Sequence, residues 1–363
     1  MRALVLPMVS LLAVLAWSCD PPLSKDSVKV VKLASDVQEG PGSIAVQTKD
    51  GAFFALPSNG GFLTLSAADA GAWEPASGTA MKRFLRDFKD QSTFGEGVMN
   101  AGVFSGTKSG FTAVSPAVPE LTHMAFAPSA PFSLVRGRDA TGAWWASSAP
   151  SFGGFSGKQF LARLDVGASD WAVEEIPLAD MGQAVQAANP AMTSDARFFF
   201  RPDMSGVWEV DVPNHVMAER VACDAELFHG ACDKAVFVFG GLAGELFIFN
   251  DARELWRIGS RETIAKLVVK GDLPSLASEG ARVGVPSFYV DPKGRVWLAF
   301  RHGTNVNGDT SYLYVAEPAK KDAWVFVSKD LPRAVLLLGD GDAPLITSTS
   351  QDTGLLLFRV VAP

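Results

Sequence analysis

The chain has 363 residues and a formal net charge of −7, and it contains 34 glycines, 22 prolines and 25 phenylalanines. No run of Lys and Arg exceeds three residues, which argues against the basic surface of a nucleic-acid-binding protein. The many glycines, prolines and aromatic residues favour an all-β fold.

Residues 1–18 predict a secretory signal peptide. The chain starts with the short basic segment Met1-Arg2, and a long apolar stretch follows. Small residues, Ala16 and Ser18, stand three places and one place before Cys19. This arrangement of a basic start, an apolar core and small residues before a cleavage point is typical of exported proteins.

The end of this leader, Ser18-Cys19, resembles the lipobox of bacterial lipoproteins. That resemblance implies cleavage before Cys19 and lipid attachment to its sulfur. An ordinary secretory cleavage would cut at the same bond and leave Cys19 without lipid.

The other two cysteines, Cys223 and Cys232, predict a disulfide. Lipidation of Cys19 leaves them as an even pair, and exported proteins form disulfides readily. The bridge would close a short loop and would contribute about 2–3 kcal/mol to stability. The alternative is a pair of reduced thiols. No metal site is expected, because the spacing is not that of a Cys-x-x-Cys ligand pair.

Residues 19–42 are interpreted as the lipidated cysteine and a tether that ends at Glu39-Gly40-Pro41-Gly42. As an alternative, Val28-Lys29-Val30-Val31 would form a strand that pairs with the last blade of the fold. The remaining residues, 43–363, are expected to form one domain.

A turn motif runs through that domain. Asp291-Pro292-Lys293-Gly294 has the residues of a type I turn and lies between two strand-like segments, so it predicts a β-hairpin. Asp139 and Gly142 repeat the motif before Trp144, and Asp203 and Gly206 repeat it before Trp208. Looser copies bring the turn glycines to seven: Gly51, Gly110, Gly142, Gly206, Gly244, Gly294 and Gly354.

These glycines are 59, 32, 64, 38, 50 and 60 residues apart. The mean spacing is close to the roughly 40–50 residues of a propeller blade. We therefore expect a single β-propeller with seven blades, and six or eight blades are the alternatives. The scatter also fits a β-rich protein whose glycine turns are not a repeat.

One helix is expected between blades, at residues 80–89. Met81, Phe84, Leu85 and Phe88 fall on one face at helical spacing.

The clearest strands lie late in the chain. Residues 288–290, 296–300, 312–316 and 324–327 predict one complete four-stranded blade. Leu355–Val361 is expected to close the ring by completing the first blade, since ring closure removes an open sheet edge.

The Asp-x-x-Gly-x-x-Trp pattern resembles the blades of periplasmic ligand-sensing propellers in two-component regulators. With the lipobox, it suggests a bacterial exported lipoprotein that carries a β-propeller domain. The motif supports a fold and carries no function by itself.

Few residues suggest chemistry. The four histidines, His123, His215, His229 and His302, form no ligand motif, and neither a nucleophile elbow nor a phosphate-binding loop occurs. No catalytic residue, metal or cofactor is therefore predicted. In Trp144-Trp145, alternation along a strand would send one ring to each face.

The function expected from these features is that of a membrane-anchored extracytoplasmic binding or scaffolding module. Its partner would be another envelope protein or an extracellular ligand, bound by the long connections Ala68–Glu96, Ala149–Lys158 and Ser260–Pro286. The alternative is a secreted propeller hydrolase or lyase with its active site at the axis.

Overall fold

The structure is a computed structural model of the chain. It describes residues 27–37, 44–47, 52–56, 62–65, 74–76, 81–86, 93–97, 101–107, 109–119, 121, 133–148, 158–177, 191–201, 206–212, 216–229, 236–241, 244–250, 254–259, 265–267, 287–302, 310–317, 325–331, 336–338, 344–350 and 354–362.

These residues form seven four-stranded antiparallel sheets, which we number I to VII. Sheets I to III comprise β2 (Ile44–Gln47), β3 (Phe53–Leu56), β4 (Phe62–Leu65) and β5 (Glu74–Ala76); β6 (Met81–Arg86), β7 (Thr93–Gly97), β8 (Val103–Thr107) and β9 (Gly110–Ala113); and β10 (Ser133–Arg138), β11 (Trp144–Ser148), β12 (Lys158–Leu164) and β13 (Ala172–Pro177).

Sheets IV to VI comprise β14 (Ala191–Met192), β15 (Phe198–Phe200), β16 (Val207–Asp211) and β17 (Val216–Val221); β18 (Val236–Gly240), β19 (Leu246–Asn250), β20 (Leu255–Ile258) and β21 (Ala265–Leu267); and β22 (Ser287–Val290), β23 (Val296–His302), β24 (Thr310–Ala316) and β25 (Val325–Leu331). Sheet VII joins β26 (Leu336–Leu338), β27 (Leu345–Ser350) and β28 (Gly354–Val361) to β1 (Lys29–Val37).

The sheets are arranged around an axis. The first strands of successive sheets contact one another, namely β2 with β6, β6 with β10, β14 with β18, and β22 with β26. Apolar clusters fill the spaces between neighbouring sheets, and fully buried Trp297 of sheet VI packs there against Ile346 of sheet VII. Similar clusters lie between II and III, III and IV, IV and V, and V and VI.

Such an arrangement, with radial antiparallel sheets packed face to face around their first strands, is a β-propeller. The all-β prediction and the propeller prediction are confirmed. The blade predicted from residues 288–327 corresponds to sheet VI.

Sheet VII shows how the chain ends are joined. The N-terminal strand β1 pairs with β28, with Lys29 opposite Val361 and Val31 opposite Arg359. The alternative in which Val28–Val31 pairs with the last blade is therefore correct. The expectation that Leu355–Val361 completes the first blade was wrong, because β28 is the third strand of the last sheet and lies between β27 and the outermost strand β1.

The predicted helix at residues 80–89 is also wrong. Met81–Arg86 forms strand β6, which pairs with β7, and residues 80 and 87–89 lie outside the described part of the chain. Periodicity alone cannot show whether a short apolar run forms a helix or a strand. Here the backbone hydrogen bonds between β6 and β7 favour the strand. A register shift between Met81 and Arg83 also interrupts the two-residue alternation that would have indicated a strand.

The turn glycines occupy different connections within their sheets. Gly142, Gly244 and Gly294 lie between the first and second strands. Gly206 precedes a third strand, Gly354 begins a third strand, and Gly110 begins a fourth strand. This mixture explains the irregular spacing of the motif along the sequence.

Two of the three long connections contain strands. Ala68–Glu96 includes β5, β6 and most of β7, and Ser260–Pro286 includes β21. In Ala149–Lys158 only the last residue is described. Across the described residues we find no helix with the length and apolar character needed to cross a membrane.

Candidate functional site

The turns between first and second strands share one geometry. In sheets III, IV and VI, the amide of the first turn residue (Asp139, Thr193 or Asp291) donates to the carbonyl of the residue four places later, at 2.9–3.0 Å. The amide three places later donates back to the first residue at 2.9–3.0 Å. This is a type I turn followed by one residue in the left-handed region.

The left-handed residue is Gly142, with φ 96°, in sheet III and Gly294, with φ 75°, in sheet VI. In sheet IV it is Ala196, with φ 61°. Since a side chain is strained in this region, Ala196 marks a turn that keeps the geometry without the glycine.

Buried aspartates hold two of these turns. The Asp139 carboxylate accepts bonds from the amides of Gly142 and Ala143 at 2.9 and 3.0 Å, and from the Trp145 indole Nε1 at 2.8 Å. Its residue is only 3% exposed, so these donors replace water around the charge.

Asp291 repeats this arrangement at 0% exposure. Its carboxylate accepts from the Arg295 amide and from Trp297 Nε1, both at 2.9 Å, and from Arg295 Nε. The Asp-x-x-Gly-x-x-Trp pattern is therefore a carboxylate-to-indole bond across the hairpin, and it has a structural role.

Neighbouring turns are bonded to each other. Ala140 of the sheet III turn donates to the Ser194 carbonyl of the sheet IV turn at 2.7 Å, and Gly244 of sheet V donates to Ser194 Oγ at 2.8 Å. Arg197 donates to the carbonyls of Gly244 and Gly259 at 3.2 and 3.3 Å. These bonds make a continuous rim at one end of sheets III to V, which we call the turn end.

A recess of about 340 Å³ opens at the turn end between sheets II and III. Nine residues line it: Phe94, Val114, Arg138, Gly142, Trp144, Asp165, Val166, Gly167 and Ala168. Residues 165–168 belong to the connection between β12 and β13. In an antiparallel sheet this connection lies at the same end as the one between the first and second strands.

Buried aromatic residues form the apolar part of the recess. Phe94 and Trp144 are 7% and 6% exposed, and their rings meet edge to face with centroids 4.6 Å apart. Two valines stand at the surface, since Val114 is 44% and Val166 69% exposed. Exposed valines beside buried aromatic rings give the recess an apolar surface that water can reach.

Two opposite charges also line the recess. Arg138 donates from Nε to the Gly142 carbonyl at 3.0 Å and lies 5.9 Å above the Trp144 ring centre. Asp165 accepts from the exposed Arg163 at 2.7 Å. The recess thus presents a cation, a carboxylate and a small apolar surface side by side.

Among the predicted turn residues that the structure describes, Gly142 lines the recess and Asp139, Gly206, Asp291 and Gly294 do not. Position 206 requires glycine, because a Cβ there would lie 2.0 Å from the Val221 carbonyl oxygen. Asp203 lies outside the described residues.

The predicted cysteine roles stay predictions. Cys223 lies in the connection after β17, whereas Cys19 and Cys232 lie outside the described part of the chain.

Among the histidines, the structure describes the surroundings of His229 alone. Its Nε2 lies 2.9 Å from the Glu254 carboxylate at the surface. The described residues contain no group of three or more His, Cys, Asp or Glu that could hold a metal ion.

The tryptophan pair behaves as strand alternation predicts. Trp144 packs with the sheet II–III cluster and Trp145 with the sheet III–IV cluster. Sequence reasoning missed the recess, because its residues come from four segments that only the packing of two sheets brings together. The exposed Val166 beside Gly167 was its sole local signal.

No family model matches the chain, and no curated protein matches it. Solved structures do. The extracellular domain of a hybrid two-component system from B. thetaiotaomicron is similar, with a TM-score of 0.54 and 10% identity. The match covers 92% of this chain and 42% of that chain, so this protein spans well under half of its length.

An oligogalacturonate lyase from Vibrio parahaemolyticus is also similar, with a TM-score of 0.51 and 9% identity over 92% of this chain and 97% of that chain. One of these proteins is an extracellular domain and the other an enzyme, so the likeness does not select a function. At such low identity it shows the fold alone, and the chain is a β-propeller protein.

Proposed function

We propose that this protein is an exported, lipid-anchored binding module of the bacterial cell envelope. Its ligand would be a segment of another envelope protein or of an extracellular molecule, held in the recess between sheets II and III. The observation that carries the proposal is the recess itself, with two exposed valines beside buried aromatic rings at the turn end.

The lining favours a peptide-like ligand. An apolar side chain of the ligand would displace water from the Val114 and Val166 surface, which is the main favourable term in such binding. Arg138 and Asp165 would orient polar groups of the ligand. The bonded turns of sheets III to V keep the adjoining rim rigid, which lowers the entropy lost on binding.

The leader supports the location in the envelope. Cleavage before Cys19 and lipid on its sulfur would hold the propeller on a membrane, and the Cys223–Cys232 bridge would form in the same oxidising compartment. Non-reducing peptide mapping checks that bridge. A peptide pair linked through Cys223 and Cys232 supports export, whereas two alkylated thiols contradict it.

Photo-crosslinking tests the binding surface. A photo-reactive residue at Val166 is compared with one at Val173, which is also exposed in sheet III but lies on the edge strand β13. We expect a discrete crosslinked product in cells at position 166 and none at position 173.

Equal products at both positions would show random contact and contradict the recess. Absence of any product at position 166 would favour the alternative, a propeller enzyme whose site lies at the axis.

A further inference from the structure

The outer edge of sheet VII carries a mixed cationic and apolar face. In the β1–β28 ladder Lys29 lies opposite Val361, and Val31 lies opposite Arg359. Residues two apart in a strand share a face, so these four side chains stand side by side. We call Lys29, Val31, Arg359 and Val361 the edge patch.

The opposite face of the same two strands belongs to the core. Val28 and Val360 are 5% and 2% exposed, and they pack with Val30 and Phe358 on sheet VI. The edge patch is therefore turned away from that core.

Both valines of the edge patch are unusually accessible. Val31 is 45% and Val361 49% exposed, which places them among the few exposed large apolar residues of the described chain. Exposed valines flanked by cations are a surface suited to the boundary between lipid headgroups and acyl chains.

The position of the edge patch in the chain links it to the proposed anchor. Lys29 follows Cys19 by ten residues. A fully extended segment of that length spans at most about 36 Å. A lipid on Cys19 would therefore keep the edge patch close to the bilayer.

Charge favours the same contact. The chain as a whole is negative, with a formal net charge of −7, so most of its surface would be repelled by anionic lipids. The edge patch has two cations instead, and a basic segment beside a membrane anchor is drawn to anionic headgroups.

We propose that the edge patch lies on the surface of an anionic membrane, with the exposed Lys29 at lipid phosphates and the two valines in the headgroup region. This inference rests on the proposed lipid anchor. Because the sheets radiate from the axis, contact through the outer edge of sheet VII sets the axis roughly parallel to the membrane. Both ends of the propeller, including the turn end with its recess, then face the aqueous space.

A different explanation for the lysines is protection of the edge strand. Charged residues on an edge strand prevent pairing with other sheets. On that explanation Lys29 and Lys32 are equivalent, although their side chains belong to opposite faces of β1. The membrane contact depends on Lys29 alone, so the two lysines separate the explanations.

Fluorescence quenching in vesicles tests the proposal. The full-length lipidated protein is labelled at Val361→Cys and reconstituted into vesicles that carry a headgroup-level quencher. Val173→Cys on β13 is the matched control, since Val173 is exposed to nearly the same extent as Val361, at 47% against 49%, but lies in sheet III. The unsubstituted protein, treated with the same dye, shows that its own cysteines remain unlabelled.

We expect stronger quenching at position 361 than at position 173, and an increase as phosphatidylglycerol replaces phosphatidylcholine. Lys29→Glu should lower the docked fraction about fivefold or more, since each cation near an anionic surface contributes roughly that factor. Lys32→Glu should leave it unchanged.

Flotation of the same vesicles distinguishes a wrong orientation of the propeller from a missing lipid anchor. A protein that floats but shows equal quenching at both positions, or equal effects of the two lysine variants, keeps its anchor and overturns the orientation. A protein that does not float lacks the anchor, which overturns the proposed function and the orientation together.

Discussion

In sheets III and VI, one buried aspartate stabilises the turn between the first and second strands. Asp291 is fully buried and is bonded to Arg295, itself 3% exposed, and to the Trp297 indole. Removal of the carboxylate leaves a buried guanidinium without its counter-charge. Losing one partner of a buried ion pair costs about 3–5 kcal/mol.

Asp291→Ala should therefore lower the free energy of unfolding by about 3–5 kcal/mol in urea titrations. The control is Asp165→Ala, whose side chain is 60% exposed in its ion pair with Arg163. That exposed pair should contribute less than about 1 kcal/mol. Similar losses for both variants would mean that the buried network does not stabilise the turn.

A substitution at Ala196 should have the opposite effect and increase the stability of the protein. Ala196 holds φ 61° in the turn where sheets III and VI have glycine. Ala196→Gly should relieve strain and stabilise the protein by up to about 1 kcal/mol, less the added entropy of the unfolded chain.

Ala168→Gly is the matched control, because Ala168 is exposed and has no positive φ. It should be neutral or slightly destabilising in thermal unfolding. A loss of stability in Ala196→Gly equal to that of the control would contradict the strain.

Among the strands, β1 joins the N-terminal part of the chain to the last sheet. It is the only N-terminal strand in sheet VII, and it covers β28, which would otherwise be an open edge. It also places Val28 in the cluster with Tyr289 and Trp297 of sheet VI.

Deletion of residues 27–37 should therefore cost at least about 1.5–3 kcal/mol from the buried Val28 side chain alone, and should produce aggregates on size-exclusion chromatography. Deletion of residues 20–26 is the control and should leave the melting temperature unchanged. Equal melting curves for both deletions would show that β1 does not close the ring.

Sequence patterns predict strands best where a hairpin has its full turn chemistry. The motif formed by Asp291, Gly294 and Trp297 predicts the first hairpin of sheet VI, and the structure confirms the four strands of that sheet. The corresponding turn of sheet IV was missed, because Thr193 replaces the aspartate and Ala196 the glycine. In β6, the Met81 and Phe84 spacing was equally compatible with a helix, and only pairing with β7 decides between the two.

The candidate site could not be found from sequence patterns. Phe94 and Val114 lie in sheet II, and Arg138 and Asp165 lie in sheet III. No local pattern connects these residues, since their proximity depends on how two sheets pack. The prediction that Trp144 and Trp145 lie on opposite faces of their strand is correct, but the recess beside Trp144 depends on the β12–β13 connection.

At the scale of the whole molecule, one ring of sheets combines two separate surfaces. The recess lies at the turn end between sheets II and III, and the edge patch lies on the outer strands of sheet VII. A propeller held by its seventh sheet would present the recess away from the bilayer. The lipid anchor would then act on binding only by placing the recess near the membrane.

The most direct test of a membrane-held binding propeller is photo-crosslinking from position 166 in two backgrounds, the natural Cys19 and Cys19→Ala, read by mass spectrometry of the membrane fraction. We predict a reproducible partner with Cys19 and its loss or strong weakening with Cys19→Ala, although the folded protein is still produced. An unchanged crosslink in Cys19→Ala, or the same product from position 173, would contradict the anchored binding module.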